Sequence, residues 1–237
     1  ARVRKYNIHC DLHLGQLEVA AKPDHLKHLE EMTRLYQNAF NYPVEIQSAQ
    51  QVNLLTGSDA YHGGCLDING GHIHPLNYTL GLAQAALAKG VQFFEHSPVT
   101  SIVQGNTIRL HSVQGSINCK YLVIAANAYL DKLVPKLAKY ILPVGTYICA
   151  TAPVDDTILP HNPAVVDSRY LLSYFRKDAQ GRLLWGGRTG LTRAQPDNLI
   201  QVMQRRISHA YPQLAGITIE KSWGGNIAVT MNRMPQI

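Results

Sequence analysis

Residues 121–128 read Tyr121-Leu122-Val123-Ile124-Ala125-Ala126-Asn127-Ala128, an apolar run that closes on small side chains. Such a run predicts a strand buried on both faces of a parallel sheet. Small residues at its carboxyl end leave room for a ligand in the crevice above it, and close packing on a helix would use them equally well. Upstream, Leu76, Leu80, Ala83 and Leu87 recur at helical spacing between Pro75 and Lys89-Gly90, and the period then changes to two. Residues 91–95 predict a strand. Residues 99–103, 107–112 and 117–119, with turns at Gly105-Asn106 and Gln114-Gly115, predict a β-meander.

Working outward, Leu26, Leu29, Met32, Leu35, Tyr36, Ala39 and Phe40 recur every three or four positions. They predict a helix over 23–40, opened by Pro23 and Asp24 and stopped at Tyr42-Pro43. A shorter helix is expected over 49–55. The stretch 61–75 carries four glycines in nine residues and predicts turns and close backbone approaches. Beyond Pro143, strands at 144–152, 164–167, 170–176, 182–187 and 217–223 predict a mostly antiparallel sheet, interrupted by a helix over 196–210. The fold class is a mixture of α/β and α+β.

The 237 residues are enough for one large or two ordinary domains. Hydrophobic residues at 46% exclude disorder, and no apolar window reaches the roughly 20 residues of a membrane span. Charged residues make up only 16%, against about 25% in ordinary domains, which points to surface covered by a partner, a cofactor or further chain. The net charge of +6 is scattered, with Arg205-Arg206 its densest helical pair, so no basic stripe supports nucleic-acid binding. Cysteines 10, 65, 119 and 149 share no short spacing and are expected as reduced, buried thiols of a cytoplasmic protein. The opening at Ala1, in mid-element, suggests an internal fragment.

His62, Cys65, His72 and His74 fall within thirteen residues, but neither a Cys-x2-4-Cys nor a His-x3-5-His pair is present, so no metal is assigned. None of the eighteen glycines fall at n, n+2 and n+5, and no nucleophile elbow or Walker loop occurs.

The pattern His62-Gly-Gly-Cys with Gly-Gly-His-Ile-His-Pro, then Gly81-Leu-Ala, Pro98-Val99, Val-Ile-Ala-Ala-Asn-Ala, and Trp223-Gly-Gly with Thr-Met-Asn-Arg-Met-Pro-Gln resembles the FAD-dependent amine and amino-acid oxidoreductases of the D-amino-acid oxidase type. The likeness runs nearly the whole chain. Within the family it is strongest to gamma-glutamylputrescine oxidoreductases, through Ala-Ala-Asn-Ala, Tyr174-Phe-Arg, Gly186-Gly-Arg, Tyr211-Pro-Gln-Leu and Arg233-Met-Pro-Gln.

The resemblance implies part of a Rossmann-type FAD-binding domain and an antiparallel-sheet substrate domain with helices. The implied division is 1–60 as a helical part of the substrate domain, 61–138 as the central FAD-binding part with the meander, 139–222 as the antiparallel substrate domain, and 223–237 as a return to the FAD-binding domain. The family's opening Gly-x-Gly-x-x-Gly strand and its glycine-rich closing segment are expected as missing N- and C-terminal parts of the same chain. Without that phosphate loop, residues 1–237 alone are expected to hold flavin weakly and to self-associate.

Carried over by position, Val99 would meet the adenine side of FAD through its backbone, and Ala125, Ala126 and Asn127 would line the dinucleotide crevice. Trp223, Gly224 and Gly225 would lie near the isoalloxazine ring, with core packing the other role open to Trp223. Some members place a carboxylate-binding arginine where this chain has Ile227; an apolar residue there argues for an amine on a longer chain. Arg233 is open to a salt-bridge role and takes over none. Tyr147, Tyr174 and Trp185 are candidates for the substrate pocket, and as strand aromatics equally candidates for the core. The resemblance thus implies oxidation of the C–N bond of a small-molecule amine, gamma-glutamylputrescine or a relative, to an imine that hydrolyses to aldehyde and ammonia. A D-amino-acid or glycine/sarcosine-type oxidase is the alternative, and an inert folding or binding module is the alternative for the fragment. Oxidase and dehydrogenase stay open.

Overall fold

Proline at the first helical position and left-handed Asn41 (φ 48°) bound an eighteen-residue helix over Pro23–Phe40, because proline fixes φ for a helical turn and asparagine tolerates the left-handed cap. Ser48 starts the next helix with a reciprocal capping box to Gln51, and Gly57 (φ 72°) ends it. The computed structural model describes residues 1–130, 132–190 and 195–230. In chain order its elements begin with α1 (Arg2–Lys5), β1 (His13–Val19), α2 (Pro23–Phe40), β2 (Val44–Ser48), α3 (Ala49–Thr56), β3 (Gly63–His72) and α4 (Pro75–Leu87). The meander strands β4 (Val99–Val103), β5 (Ile108–Ser112) and β6 (Ser116–Cys119) follow, then α5 (Pro135–Ala138) and β7 (Leu142–Pro153). The last elements are β8 (Ala164–Asp167), β9 (Tyr174–Lys177), β10 (Arg182–Gly190), α6 (Leu199–Ala210) and β11 (Ile219–Val229).

The chain forms two units. The first comprises Ala1–Ala83, Thr146–Thr189 and Ala194–Gly224; the second comprises Gln84–Gly145, Gly190–Arg193 and Gly225–Ile237. An eight-stranded sheet runs in the order β11-β7-β10-β9-β8-β1-β3-β2, and β4-β5-β6 form a separate antiparallel sheet. In the large sheet β1 pairs parallel with β8 and antiparallel with β3, and β9 pairs antiparallel with both β8 and β10.

The core of the first unit lies on one face of this sheet. Leu17, Val19, Cys149, Val165, Phe175, Leu183 and Trp185 meet Val52 of α3 and Leu199, Met203 and Ile207 of α6. Two polar ties join the ends of those helices: the Tyr211 hydroxyl donates to the Thr56 carbonyl at 2.9 Å, and the Ser58 hydroxyl donates to the Ala210 carbonyl at 2.6 Å. Both donors are buried, where an unmade bond would cost most.

Four expectations change. The glycine-rich stretch is largely strand β3, held between β1 and β2. Residues 91–95 and 121–126 form no strand, and Phe94, Tyr121 and Val123 are exposed. A strand is fixed by its neighbours, and no described segment pairs with either run. The apolar row of α2 buries only Leu29, with Leu35, Tyr36 and Phe40 left exposed. Of the four free thiols, Cys10 and Cys149 are buried, whereas Cys65 and Cys119 are half-buried. No helix among the described residues is long and apolar enough to cross a membrane.

Candidate functional site

Strand alternation gives the large sheet a second face, and in the first unit that face lines a cavity of about 710 Å³. On β9 and β10 the register sets Trp185 opposite Phe175, Gly186 opposite Tyr174, and Leu184 opposite Arg176. Residues directly opposite share a face, so Trp185 with Phe175 and Tyr174 with Gly186 look opposite ways. Trp185 stacks on Phe175 at 4.1 Å with only 1% of its surface exposed; it belongs to the core and is absent from the cavity lining. Tyr174, Arg176, Arg182, Leu184 and Gly186 line the cavity.

Tyr174 is positioned by a glycine. A Cβ on Gly186 would stand 2.2 Å from the ring's Cζ, so only a residue without a side chain admits the tyrosine there. The Tyr174 and Thr146 hydroxyls are hydrogen-bonded at 3.1 Å, which fixes the far end of the ring. Tyr147, next along β7, is buried and lies against Gly224, whose Cβ would stand 2.3 Å from the ring. Gly224 thus admits a protein side chain. Trp223 is 44% exposed and lines the cavity with Lys221.

The polar wall was missed by sequence reasoning. Arg182 pairs with Asp178 at 2.7 Å and stands 3.9 Å from Glu220. Arg176 is half-buried, and its guanidinium donates to the Lys177 carbonyl at 3.2 Å. Arg176 and Arg182 alternate with the core residues Phe175, Leu183 and Trp185 along β9 and β10, and that period-two pattern was the available signal. His72 also lines the cavity; its Nε2 meets the Asn162 carbonyl at 2.9 Å and its ring stacks on His13 at 5.3 Å. Donation by Nε2 leaves Nδ1 as the acceptor, and burial holds the imidazole below its ordinary range. His62, Cys65, His72 and His74 do not converge, and among the described residues no group of three metal-ligating side chains occurs.

In the second unit Val99 opens β4 and borders a cavity of about 450 Å³ with Phe94, Ser97 and Leu110. Ala125 is exposed and Ala126 half-buried on the segment leading to Asn127. Asn127 has a left-handed backbone (φ 50°), and its Oδ1 accepts from the amides of Ala128 and Ala228 at 2.8 and 2.7 Å. The Tyr129 hydroxyl accepts from the Asn226 amide at 3.0 Å. Together these bonds tie residues 127–129 to the end of β11. Gly225 is open on its Cβ side, with only the Tyr129 hydroxyl at 3.6 Å, and Ile227 is exposed. Arg233 lies outside the described residues.

Comparison with known proteins places these features in a family. The model of the DAO family, described as FAD dependent oxidoreductase, matches residues 1–237. The chain is 36% identical over 240 residues to gamma-glutamylputrescine oxidoreductase of Escherichia coli (strain K12), covering 99% of this chain and 56% of that protein. Among solved structures, glycine oxidase from Geobacillus kaustophilus superposes with a TM-score of 0.84 at 18% identity, over 99% of this chain and 64% of that one. L-proline dehydrogenase from P. horikoshii gives 0.85 at 19%, over 98% and 65%. The chain spans just over half the length of the curated relatives it matches, between 53% and 56% for three of them.

Proposed function

The chain belongs to the FAD-dependent oxidoreductase family of the DAO type, and from that premise we propose that its parent enzyme oxidises the C–N bond of a primary amine on a longer chain, gamma-glutamylputrescine or a close relative. The product is an imine that hydrolyses to aldehyde and ammonia. One observation carries the reading: the sheet of the first unit lines a cavity of about 710 Å³ that combines an apolar wall, including Ile148, Leu184, Tyr174, Phe175 and Trp223, with a charged one. A volume of that order suits an elongated amine better than a two-carbon amino acid. The 36% identical relative supports the same choice.

FAD, the family's cofactor, supplies the hydride acceptor when bound. The residues we assign to it in the second unit are Val99, Ala125, Ala126, Asn127 and Gly225. They fit the role in that Asn127 and Tyr129 brace the backbone beside Gly225 while its Cβ side stays open. In the first unit the assignment covers Trp223 and Gly224. Tyr174 and Trp223 are assigned to the substrate wall, where apolar side chains and an excess of positive charge favour the neutral amine over the ammonium. Ile227 is assigned as the apolar substitute for a carboxylate-binding arginine, and Tyr147 and Trp185 to support of the wall from the core side.

The visible spectrum of the protein purified from its complete gene tests this before and after anaerobic addition of gamma-glutamylputrescine. Bleaching of a flavin band is the expected result. Bleaching by sarcosine or D-alanine with none by gamma-glutamylputrescine would transfer the proposal to a glycine/sarcosine-type or D-amino-acid oxidase.

A further inference from the structure

Building on that reading, we propose that Arg176 determines specificity by holding a carboxylate, so that the cavity selects amines whose chain carries an anionic end remote from the C–N bond to be oxidised. The guanidinium has five N–H donors, and among the described residues it makes one hydrogen bond, to the Lys177 carbonyl, and no salt bridge. The two acidic groups that influence it do not neutralise it. Asp178 is engaged by Arg182 through Nε and the terminal nitrogen, both at 2.7 Å, and Asp11 acts on Arg176 only from beyond ion-pair distance.

The surroundings raise the cost of leaving this cation without an anion. Leu184 stands opposite it on β10, and Ala164, Ile148 and Ala150 share the wall. A half-buried guanidinium among aliphatic side chains loses hydration that only an anion replaces in full. The formally charged lining residues are Arg176, Arg182, Lys221 and Asp178, an excess of positive charge; His72 stays neutral, held down by burial first and by repulsion from Arg176 and His13 as well. The spacing also suits a molecule with two distinct ends. Arg176 follows Tyr174 by two positions on one strand face, about 7 Å along β9, so the carboxylate is gripped one row away from the aromatic part of the wall.

The test uses the FAD-loaded enzyme from the complete gene, as wild type, Arg176→Gln and Arg176→Lys, with gamma-glutamylputrescine and N-acetylputrescine, an amide that carries no carboxylate, as substrates. Arg176→Gln is expected to raise KM for gamma-glutamylputrescine roughly 10- to 100-fold, the range for losing one charged hydrogen-bonded pair, with kcat changed less than about threefold. KM for N-acetylputrescine should not move, and Arg176→Lys should recover part of the loss. An equal rise for both substrates, or none for either, would overturn the proposal. Calorimetric titration with glutarate gives a readout independent of turnover: binding by wild type that disappears in Arg176→Gln supports the carboxylate site, and binding that survives, or is absent from wild type, refutes it. If wild type oxidises neither amine, the proposed reaction fails while the glutarate titration still decides the role of Arg176.

Discussion

Replacing Gly186 by alanine should dislodge Tyr174 and expose how the cavity wall is built. The added methyl would lie 2.2, 2.3 and 2.6 Å from Cζ, Cε2 and the hydroxyl oxygen of the tyrosine, whereas carbon atoms rest in contact at about 3.5–4.0 Å. The ring must therefore move by more than about 1 Å, and the 3.1 Å bond to Thr146 breaks with it. Gly186 is not among the glycines with positive φ, so the alanine backbone itself is unstrained. Overpacking costs about 1–3 kcal/mol and the hydrogen bond about 1 kcal/mol. The ring has an open cavity to swing into, which places the expected loss near 2 kcal/mol. Urea unfolding by linear extrapolation measures it in two backgrounds, wild type and Tyr174→Ala. Without the ring the same methyl should cost less than about 0.5 kcal/mol, a coupling of about 1.5 kcal/mol between the two positions. Equal losses in both backgrounds would refute the steric account.

Trp185→Ala should lower stability by about 3–5 kcal/mol, because the indole is fully buried against Phe175 and Tyr211 and leaves a cavity in the core; a thermal shift no larger than that of an exposed substitution such as Tyr170→Ala would contradict its placement. Burial pushes the Cys149 thiol up to about 12, so at pH 8 roughly one part in ten thousand is thiolate. Iodoacetamide should spare Cys149 until the chain unfolds, and peptide mapping of labelled native protein checks it. His72 titrates below its ordinary value in the folded state, so the unfolded chain binds more protons over that interval. Stability should rise with pH there and fall as pH drops below about 6.5. His72→Asn should flatten that slope in urea midpoints collected between pH 7 and 5, and an unchanged slope would remove His72 from the account.

The elements legible in the sequence were those whose pattern and boundary signals agree. Helix α2 begins at Pro23 and ends at Phe40 as its periodicity predicts, and the meander strands fall between their glycine turns. Strand β1 was overlooked although Leu17 and Val19 alternate with Gln16 and Glu18, because the run is short and carries Gly15. Strand β3 was hidden by its glycines, which read as turns. Their role is close pairing: a Cβ on Gly64 would stand 2.6 Å from the Glu18 carbonyl oxygen, and one on Gly71 2.1 Å from that of His13. Neighbouring strands override the local preference of glycine.

At the cavity, sequence reasoning named Tyr174 but grouped it with Trp185 and Tyr147, and it gave Trp223 to the flavin ring rather than to this wall. Counting by two separates faces within one strand; deciding which aromatics on different strands share a face needs the register. Arg176 was passed over because a charged residue in a half-buried strand is ordinarily assigned to solvent, and only the cavity shows what that face meets.

The parallel pairing of β1 with β8 has a consequence for how the chain is made. Its two partners lie far apart in sequence; the bond from the Ala21 amide to the Ser168 hydroxyl just beyond them spans 147 residues. During synthesis β1, β2 and β3 emerge early and can form their antiparallel ladders, but β1 then presents an open edge until β8 leaves the ribosome. From the end of β3 at His72 to the end of β8 at Asp167, at roughly 5–20 residues per second, that interval lasts about 5–19 s. Throughout it the nascent sheet offers unpaired amides and carbonyls beside Leu17 and Val19, a template for another chain's strand. Slow translation or high expression therefore puts the protein at risk through this edge, and a chaperone acting on the emerging chain has β1 to cover.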